Sequence, residues 1–173
     1  MPTDLPAPPP PLDRSMKVWG GLKENPEVLQ RTIDILNSSP TAREQIWNYE
    51  RQIVPGAPGS ALPIGAIAGD AAAYNNRDNQ IQIGTAVTAP EVIAGSIAHE
   101  LGHYIDDSNL DQIDNWYGKP GYEGAWVMGR MASEGIAAIN NYRILDERSG
   151  LVCLNNFPRF ISCLLYTSPS PRD

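Results

Sequence analysis

Apolar residues recur every three to four positions in four stretches of the chain, and this spacing predicts four amphipathic helices. The first follows Asn25-Pro26-Glu27, which offers an N-cap, a proline at the first helical position and an acidic first turn. Thr41 and Glu44 form a capping-box pattern for the second. The third begins near Pro90, and the fourth spans about 125–148. The predicted packing residues are, in chain order, Leu29, Ile33, Leu36, Ile46, Tyr49, Ile53, Val92, Ile93, Ile97, Leu101, Ile105, Val127, Met131, Ile136, Ala137, Ile139 and Ile144.

A different periodicity precedes the third helix. Polar and apolar residues alternate strictly along 80–83, and a second β-prone run, 71–74, is separated from this stretch by a turn-rich gap. These features predict a β-hairpin. Residues 18–21 suggest a short strand, whereas the Gly-, Pro- and Ala-rich stretch 55–69 predicts a loop with little regular structure.

Together these elements predict an α+β domain over residues 16–160, with a small hairpin or sheet beside the helices. Residues 1–15 are proline-rich, which is typical either of an extended tether joined to an upstream secretion module or of an ordinary disordered terminus. Residues 161–173 are similar to translated adapter sequence found at the ends of unrelated chains. We therefore expect a non-native tail there and a domain truncated near residue 160.

The charge balance narrows the possible partners. The net charge is −7 with only three lysines, which argues against binding to nucleic acid or to an anionic membrane surface. No apolar run approaches the roughly 20 residues of a membrane span, and we find no cleavable signal-peptide pattern. The two cysteines, Cys153 and Cys163, are interpreted as one buried and one exposed thiol rather than a disulfide.

Both histidines of the chain lie in one motif, His99-Glu100-Leu101-Gly102-His103, at the end of the third predicted helix. Residues four apart lie on one face of a helix, so both imidazoles can bind one ion. Imidazole is a common zinc ligand, and Glu100 is placed as a general base for the attacking water. The motif therefore predicts a zinc site that performs hydrolysis.

A catalytic zinc site needs a third protein ligand, and no third histidine exists. The metzincin pattern fails because Asp106 and Asn109 stand where glycine and histidine are required. Two carboxylates remain as candidates. Asp106 lies one turn beyond His103 as a ligand or as an acceptor for an imidazole N–H. Glu134 lies on the fourth helix among small residues that permit close packing, which favours it.

Beyond the motif, Glu134-x-x-Ala137 and Asn140-x-x-Arg143 follow on the fourth helix. This combination over roughly 70–151 resembles the NleD-type effector zinc metallopeptidases and related toxin domains. The resemblance implies a zincin-like fold and a zinc endopeptidase that cleaves protein substrates. It also implies a secreted effector or toxin domain delivered into another cell without a cleavable signal peptide.

Residue by residue, the resemblance implies zinc on His99, His103 and Glu134, with Glu100 catalytic. Asn140 and Arg143 would be supporting residues. For the group that stabilises the transition state, the candidates are Tyr142, Arg143, Tyr117 and Tyr122.

Two other functions remain open. A zinc-stabilised binding module without turnover would usually have four protein ligands rich in cysteine, which this chain does not favour. An inactive truncated fragment would follow from the expected loss of the native C-terminus.

Overall fold

The computed structural model describes residues 9–106 and 118–149, which form a mixed α+β fold. A 3₁₀ helix (Lys17–Glu24) leads into α1 (Pro26–Asn37) and α2 (Pro40–Gln52). Three strands follow, namely β1 (Gly65–Ile67), β2 (Ala72–Asn75) and β3 (Gln80–Gly84). The last two helices are α3 (Pro90–Asp106) and α4 (Tyr122–Ser149). The predicted α+β class and all four predicted helices are therefore confirmed.

Short polar side chains determine where α1 and α2 begin. Asn25 caps α1 as predicted, with its Oδ1 accepting from the N–H of Val28 at 3.2 Å. The cap of α2 is Ser39, whose Oγ accepts from the N–H of Ala42 at 3.0 Å, so the predicted capping box at Thr41 was wrong. Pro40 occupies the first turn instead, where its missing N–H costs nothing.

The sheet has the strand order β1-β3-β2. β2 and β3 pair antiparallel with Tyr74 opposite Ile81, which confirms the predicted hairpin. β1 pairs parallel with β3, with Ala66 opposite Ile83. β1 lies inside the stretch that was predicted to be irregular. Its pairing depends on a partner strand far along the chain, and local composition does not report such a partner.

The predicted strand at 18–21 was also wrong, because these residues belong to the 3₁₀ helix. At the start of the 3₁₀ helix, the two carboxylate oxygens of Glu50 accept hydrogen bonds from the backbone N–H of Lys17 at 3.1 Å and of Val18 at 2.7 Å. This pairing satisfies N–H groups that would otherwise lack partners at a helix start. A residue distant in sequence therefore stabilises the helical conformation.

Part of the proline-rich segment packs onto the domain. Leu12 is buried in the core, and its N–H and C=O groups both bond to the side chain of Asn37, at 2.7 and 3.0 Å. Trp19 is also buried, and its Nε1–H donates to the carbonyl of Asp13 at 2.7 Å. The packed region therefore includes Leu12 and Asp13, although the domain was predicted to begin at residue 16.

Helices α3 and α4 pack closely where α3 carries a glycine. A Cβ built on Gly102 would lie 2.5 Å from Cα of Ala137, which is closer than real contacts allow. At Gly95 the nearest atom would be Oδ1 of Asn141 at 3.9 Å. The absence of a side chain therefore admits the backbone of α4 at Gly102, whereas no such close approach occurs at Gly95.

The face that α4 buries differs from the predicted one. Of its predicted packing residues, only Ala137 and Ile144 are buried, together with the polar Ser133 and Asn141. The remaining four are exposed: Val127, Met131, Ile136 and Ile139. On α3, Ile93, Ile97 and Leu101 are buried as predicted, but the predicted packing residues Val92 and Ile105 are exposed.

The C-terminal part of α4 is attached to the start of α2 through Glu147. Its carboxylate accepts from Oγ of Ser39 at 2.6 Å and from the N–H of Thr41 at 3.0 Å. Partial burial alone would raise the pKa of Glu147, but these hydrogen bonds and the nearby Arg143 outweigh it and lower the pKa. The carboxylate is therefore charged at neutral pH and supplements the cap of α2.

Within the described residues, no helix combines the length and apolar character needed to cross a membrane. Residues 107–117, both cysteines and the expected tail lie outside the described residues.

The space around the two glycines of α3 differs, and this difference predicts opposite effects of alanine substitution on stability. Gly102→Ala should destabilise the fold by about 1–3 kcal/mol, because the added methyl group would overlap the backbone of α4. Gly95→Ala is the matched control on the same helix and should stabilise by up to about 1 kcal/mol, since alanine is the better helix former. Urea unfolding of both variants measures the difference. Equal changes in the free energy of unfolding for the two variants would mean that α3 and α4 do not pack closely at Gly102.

Candidate metal centre

Helix α3 brings the two histidines together through its periodicity. The ring centroids of His99 and His103 lie 4.9 Å apart, and the ring planes are inclined at 82°. The apolar residues Ile97, Ala98 and Leu101 are buried on other sides of the helix. The helix is thus anchored in the core while both imidazoles are directed towards α4.

The carboxylate of Glu134 on α4 meets both rings. Oε2 lies 3.3 Å from Nε2 of His99, and Oε1 lies 3.5 Å from Nε2 of His103. Hydrogen bonding to His103 and then to His99 lowers the pKa of Glu134 well below its ordinary value. Its carboxylate is therefore ionised at neutral pH.

These three side chains fit a metal ion. Their ligand atoms all lie within 4.8 Å of one another. Ligands about 2.0–2.1 Å from a tetrahedral ion lie about 3.4 Å apart, close to the observed separations of Glu134 from His99 and His103. In addition, Oε2 of Glu134 is buried, and apart from its 3.3 Å contact with Nε2 of His99 it has no hydrogen-bond partner among the described residues. A buried acceptor of this kind is costly unless a cation or donor satisfies it.

Ser133 orients one of the two rings. Its Oγ lies 2.9 Å from Nδ1 of His103, and the side chain is buried. When Nδ1 carries the hydrogen and donates it to Ser133, Nε2 presents its lone pair to an ion. The neighbouring residues Ser133 and Glu134 therefore act on the same imidazole, one through each ring nitrogen.

Glu100 occupies a different environment from Glu134. Its side chain is only 4% exposed, and it lies against β2, where the backbone N–H of Tyr74 donates to its carboxylate. Burial raises the pKa of Glu100 to about 7, with His99 lowering it, Glu134 raising it, and the N–H of Tyr74 lowering it. Glu100 can therefore gain and lose a proton near neutral pH.

Asn140 connects three helices behind the metal-binding residues. Its Nδ2 donates to the carbonyl of Ala98, the residue before His99, at 2.7 Å. It also exchanges two hydrogen bonds with the side-chain amide of Gln45 on α2, at 2.6 and 3.0 Å. Asn140 thus supports the site through packing rather than by contact with the ligands.

The other predicted site residues do not join this group. Asp106 is not part of the cluster, which consists of His99, His103 and Glu134. Arg143 follows Glu134 by nine residues, which places it on the opposite side of α4, where its Nε contacts Glu147 at 3.4 Å. Tyr142 is exposed and lies about 12 Å further along the helix axis than Glu134.

Two further candidates for stabilising the transition state have no demonstrated role. Tyr122 begins α4, about 18 Å along its axis from Glu134. Tyr117 lies outside the described residues.

Two groups that contact the motif from other elements were not predicted from the sequence. The hydroxyl of Ser133 and the backbone N–H of Tyr74 are brought to the site by tertiary packing. The only local signal for Ser133 was its position directly before Glu134. A backbone N–H has no sequence signal.

Comparison with known proteins adds no relative. No protein-family model, curated protein or solved structure matches the chain. The assignment of this site therefore depends on its own geometry.

The contact between Ser133 and His103 predicts an effect on metal binding. Ser133→Ala should weaken zinc affinity about 10–100-fold, because the ring loses the partner that sets its tautomer and orientation. Competition with a chromophoric chelator measures the affinity. Ser38→Ala, which removes a hydroxyl bonded to the carbonyl of Ile35 in α1, is the matched control and should bind normally. Equal affinities for both variants would contradict the role of Ser133.

The choice of third ligand is tested by comparing two carboxylates. Glu134→Gln should lower zinc affinity by more than tenfold, because the buried site loses its anionic ligand. Asp106→Asn should leave affinity within about twofold, because Asp106 lies outside the cluster. The same chelator titration compares both variants, with circular dichroism to verify folding. A larger loss for Asp106→Asn would identify Asp106 as the ligand.

Proposed function

We propose that this chain is a zinc-dependent endopeptidase. The observation that carries the proposal is the different position of two glutamates at the site. Glu134 joins His99 and His103 in the group that can hold an ion, while Glu100 is buried and, within the described part of the chain, is not a member of this group. A buried carboxylate next to three electron-pair donors is the arrangement that metal-assisted hydrolysis requires.

The donor set favours zinc. Two imidazole nitrogens and one carboxylate oxygen suit a borderline-soft ion that accepts tetrahedral coordination. Within residues 9–106 and 118–149, the group has three protein ligands. Catalytic zinc sites usually have three protein ligands and one open position, whereas structural sites are closed by four. The ligand number therefore supports catalysis over a structural role.

The proposed chemistry assigns a distinct role to each residue. Bound zinc would supply Lewis acidity to water and to the scissile carbonyl. Glu100 accepts the proton from the attacking water and later delivers it to the nitrogen of the leaving amine. Ser133 keeps His103 in the ligating tautomer, and Asn140 holds the backbone next to His99.

The position of β2 supports a peptide as substrate. β2 is an edge strand of the three-stranded sheet, and the backbone N–H of Tyr74 is bonded to Glu100. Alternate residues of an antiparallel strand direct their backbone groups to the same side, so Ala72 shares this direction. Because the Tyr74 N–H is already bonded to Glu100, an extended substrate would add through other backbone groups of the β2 edge, beside the proton-transferring carboxylate.

The biological setting is proposed on the sequence pattern alone. The motif and the second helix resemble effector-type metallopeptidases, so we propose a secreted effector or toxin domain that cleaves proteins of another cell. Its upstream proline-rich residues would connect it to a delivery module.

Removal of the proposed base tests this function. Glu100→Gln should bind zinc as the wild type does and hydrolyse peptides about 10²–10⁴-fold more slowly, because the amide cannot accept the proton. Turnover of a quenched fluorescent peptide library and metal content by mass spectrometry provide the two measurements. Glu91→Gln, an exposed acidic residue in the first turn of the same helix, is the control and should retain activity.

Each outcome has a defined meaning. Wild-type turnover in Glu100→Gln would exclude Glu100 as the base and overturn the proposed mechanism. A zinc-loaded wild-type chain that cleaves no peptide would overturn the endopeptidase proposal and favour a binding module.

A further inference from the structure

Helix α4 exposes an unusual number of large apolar side chains. Singly exposed apolar residues are normal on a protein surface, whereas a concentration on one element commonly marks a binding surface. The exposed members on α4 are Val127, Met128, Met131, Ile136, Ile139 and Tyr142.

Two of these residues share the side of α4 that carries Glu134. Met131 and Val127 precede Glu134 by three and seven residues, so they lie within about 60° and 20° of it around the helix. Helical side chains lean towards the N-terminus, so the carboxylate of Glu134 extends over the turn that contains Met131. Ile139 lies about 140° away, on the outer side.

The two walls of the site follow from contacts around α3. Glu100 contacts Tyr74 of β2, and Gly102 contacts Ala137 of α4. Each residue advances 100° around a helix, so His99 and His103 lie between these two sides. A peptide at the metal-binding group therefore has the β2 edge on one side and α4 on the other.

We propose that Met131, together with Val127, forms a specificity wall for an apolar substrate side chain next to the scissile bond. The inference rests on the proposed peptidase function and names its substrate class. Met131 is 70% exposed and Val127 is 48% exposed, so both offer apolar surface that a substrate can cover. A methionine side chain is unbranched and polarisable, and it adapts to apolar partners of different shape.

A charge substitution with a matched control tests the wall. Met131→Glu and Ile139→Glu change side chains that are equally exposed, each at 70%, on the same helix. Three peptides that differ only at the residue adjacent to the scissile bond, carrying leucine, aspartate or lysine, serve as substrates. Met131→Glu should lower kcat/KM for the leucine peptide about tenfold or more relative to the lysine peptide. Ile139→Glu should leave this ratio unchanged.

Binding without turnover gives a second readout. The same two substitutions are placed in zinc-loaded Glu100→Gln, and the Kd of a fluorescent leucine peptide is measured by anisotropy. Met131→Glu should weaken binding about tenfold, and Ile139→Glu should not. Zinc content and the far-ultraviolet circular dichroism spectrum should be the same for all variants, because both side chains are exposed.

The outcomes separate the two proposals. If the wild type cleaves peptides but Met131→Glu changes the leucine-to-lysine ratio no more than Ile139→Glu does, the specificity wall is wrong and the peptidase function stands. If the zinc-loaded wild type neither cleaves nor binds any of the three peptides, both proposals are overturned.

Discussion

The close contact between α3 and α4 at Gly102 is the constraint on which the candidate metal centre depends. Two of its ligands lie on α3 and the third lies on α4, so the separation of these helices sets the distances between ligand atoms. Gly102 has no side chain, so the backbone of Ala137 can approach α3 closely. A glycine inside a helix costs about 1 kcal/mol in local propensity. The close approach of the helices places Glu134 beside both imidazoles.

Polar contacts between α3 and α4 favour one relative orientation of the two helices. Asn140 bonds to the carbonyl of Ala98, and Ser133 bonds to the ring of His103, so α4 holds α3 on both sides of the Gly102 contact. Apolar packing alone would tolerate small rotations of either helix, whereas a hydrogen bond weakens steeply when its geometry changes. Buried polar pairs of this kind favour one helix orientation, and the positions of the ligands follow from that orientation.

The features predicted correctly from the sequence are those that depend on neighbouring residues in the chain. The spacing of His99 and His103, the cap at Asn25 and the alternation through Ile81 depend on neighbours within a few residues, and the structure contains each as predicted. The pairing of β1 and the buried face of α4 depend on distant partners. On α4, hydrophobicity identified the wrong face, because its inner face is built from small and polar residues that permit close approach to α3. The grouping of Glu134, and not Asp106, with the two histidines likewise depends on tertiary packing.

Environment, rather than residue type, separates the proposed roles of the two glutamates. Burial raises the pKa of Glu100 to about 7, whereas contacts with His103 and His99 lower the pKa of Glu134. Pairs of carboxyl groups with opposed shifts commonly divide proton transfer and charge stabilisation between them. A cation held by Glu134 would neutralise the charge that now raises the pKa of Glu100 and would add a positive charge nearby. Both effects favour ionised Glu100, so loading the site would itself prepare the carboxylate to accept a proton at neutral pH.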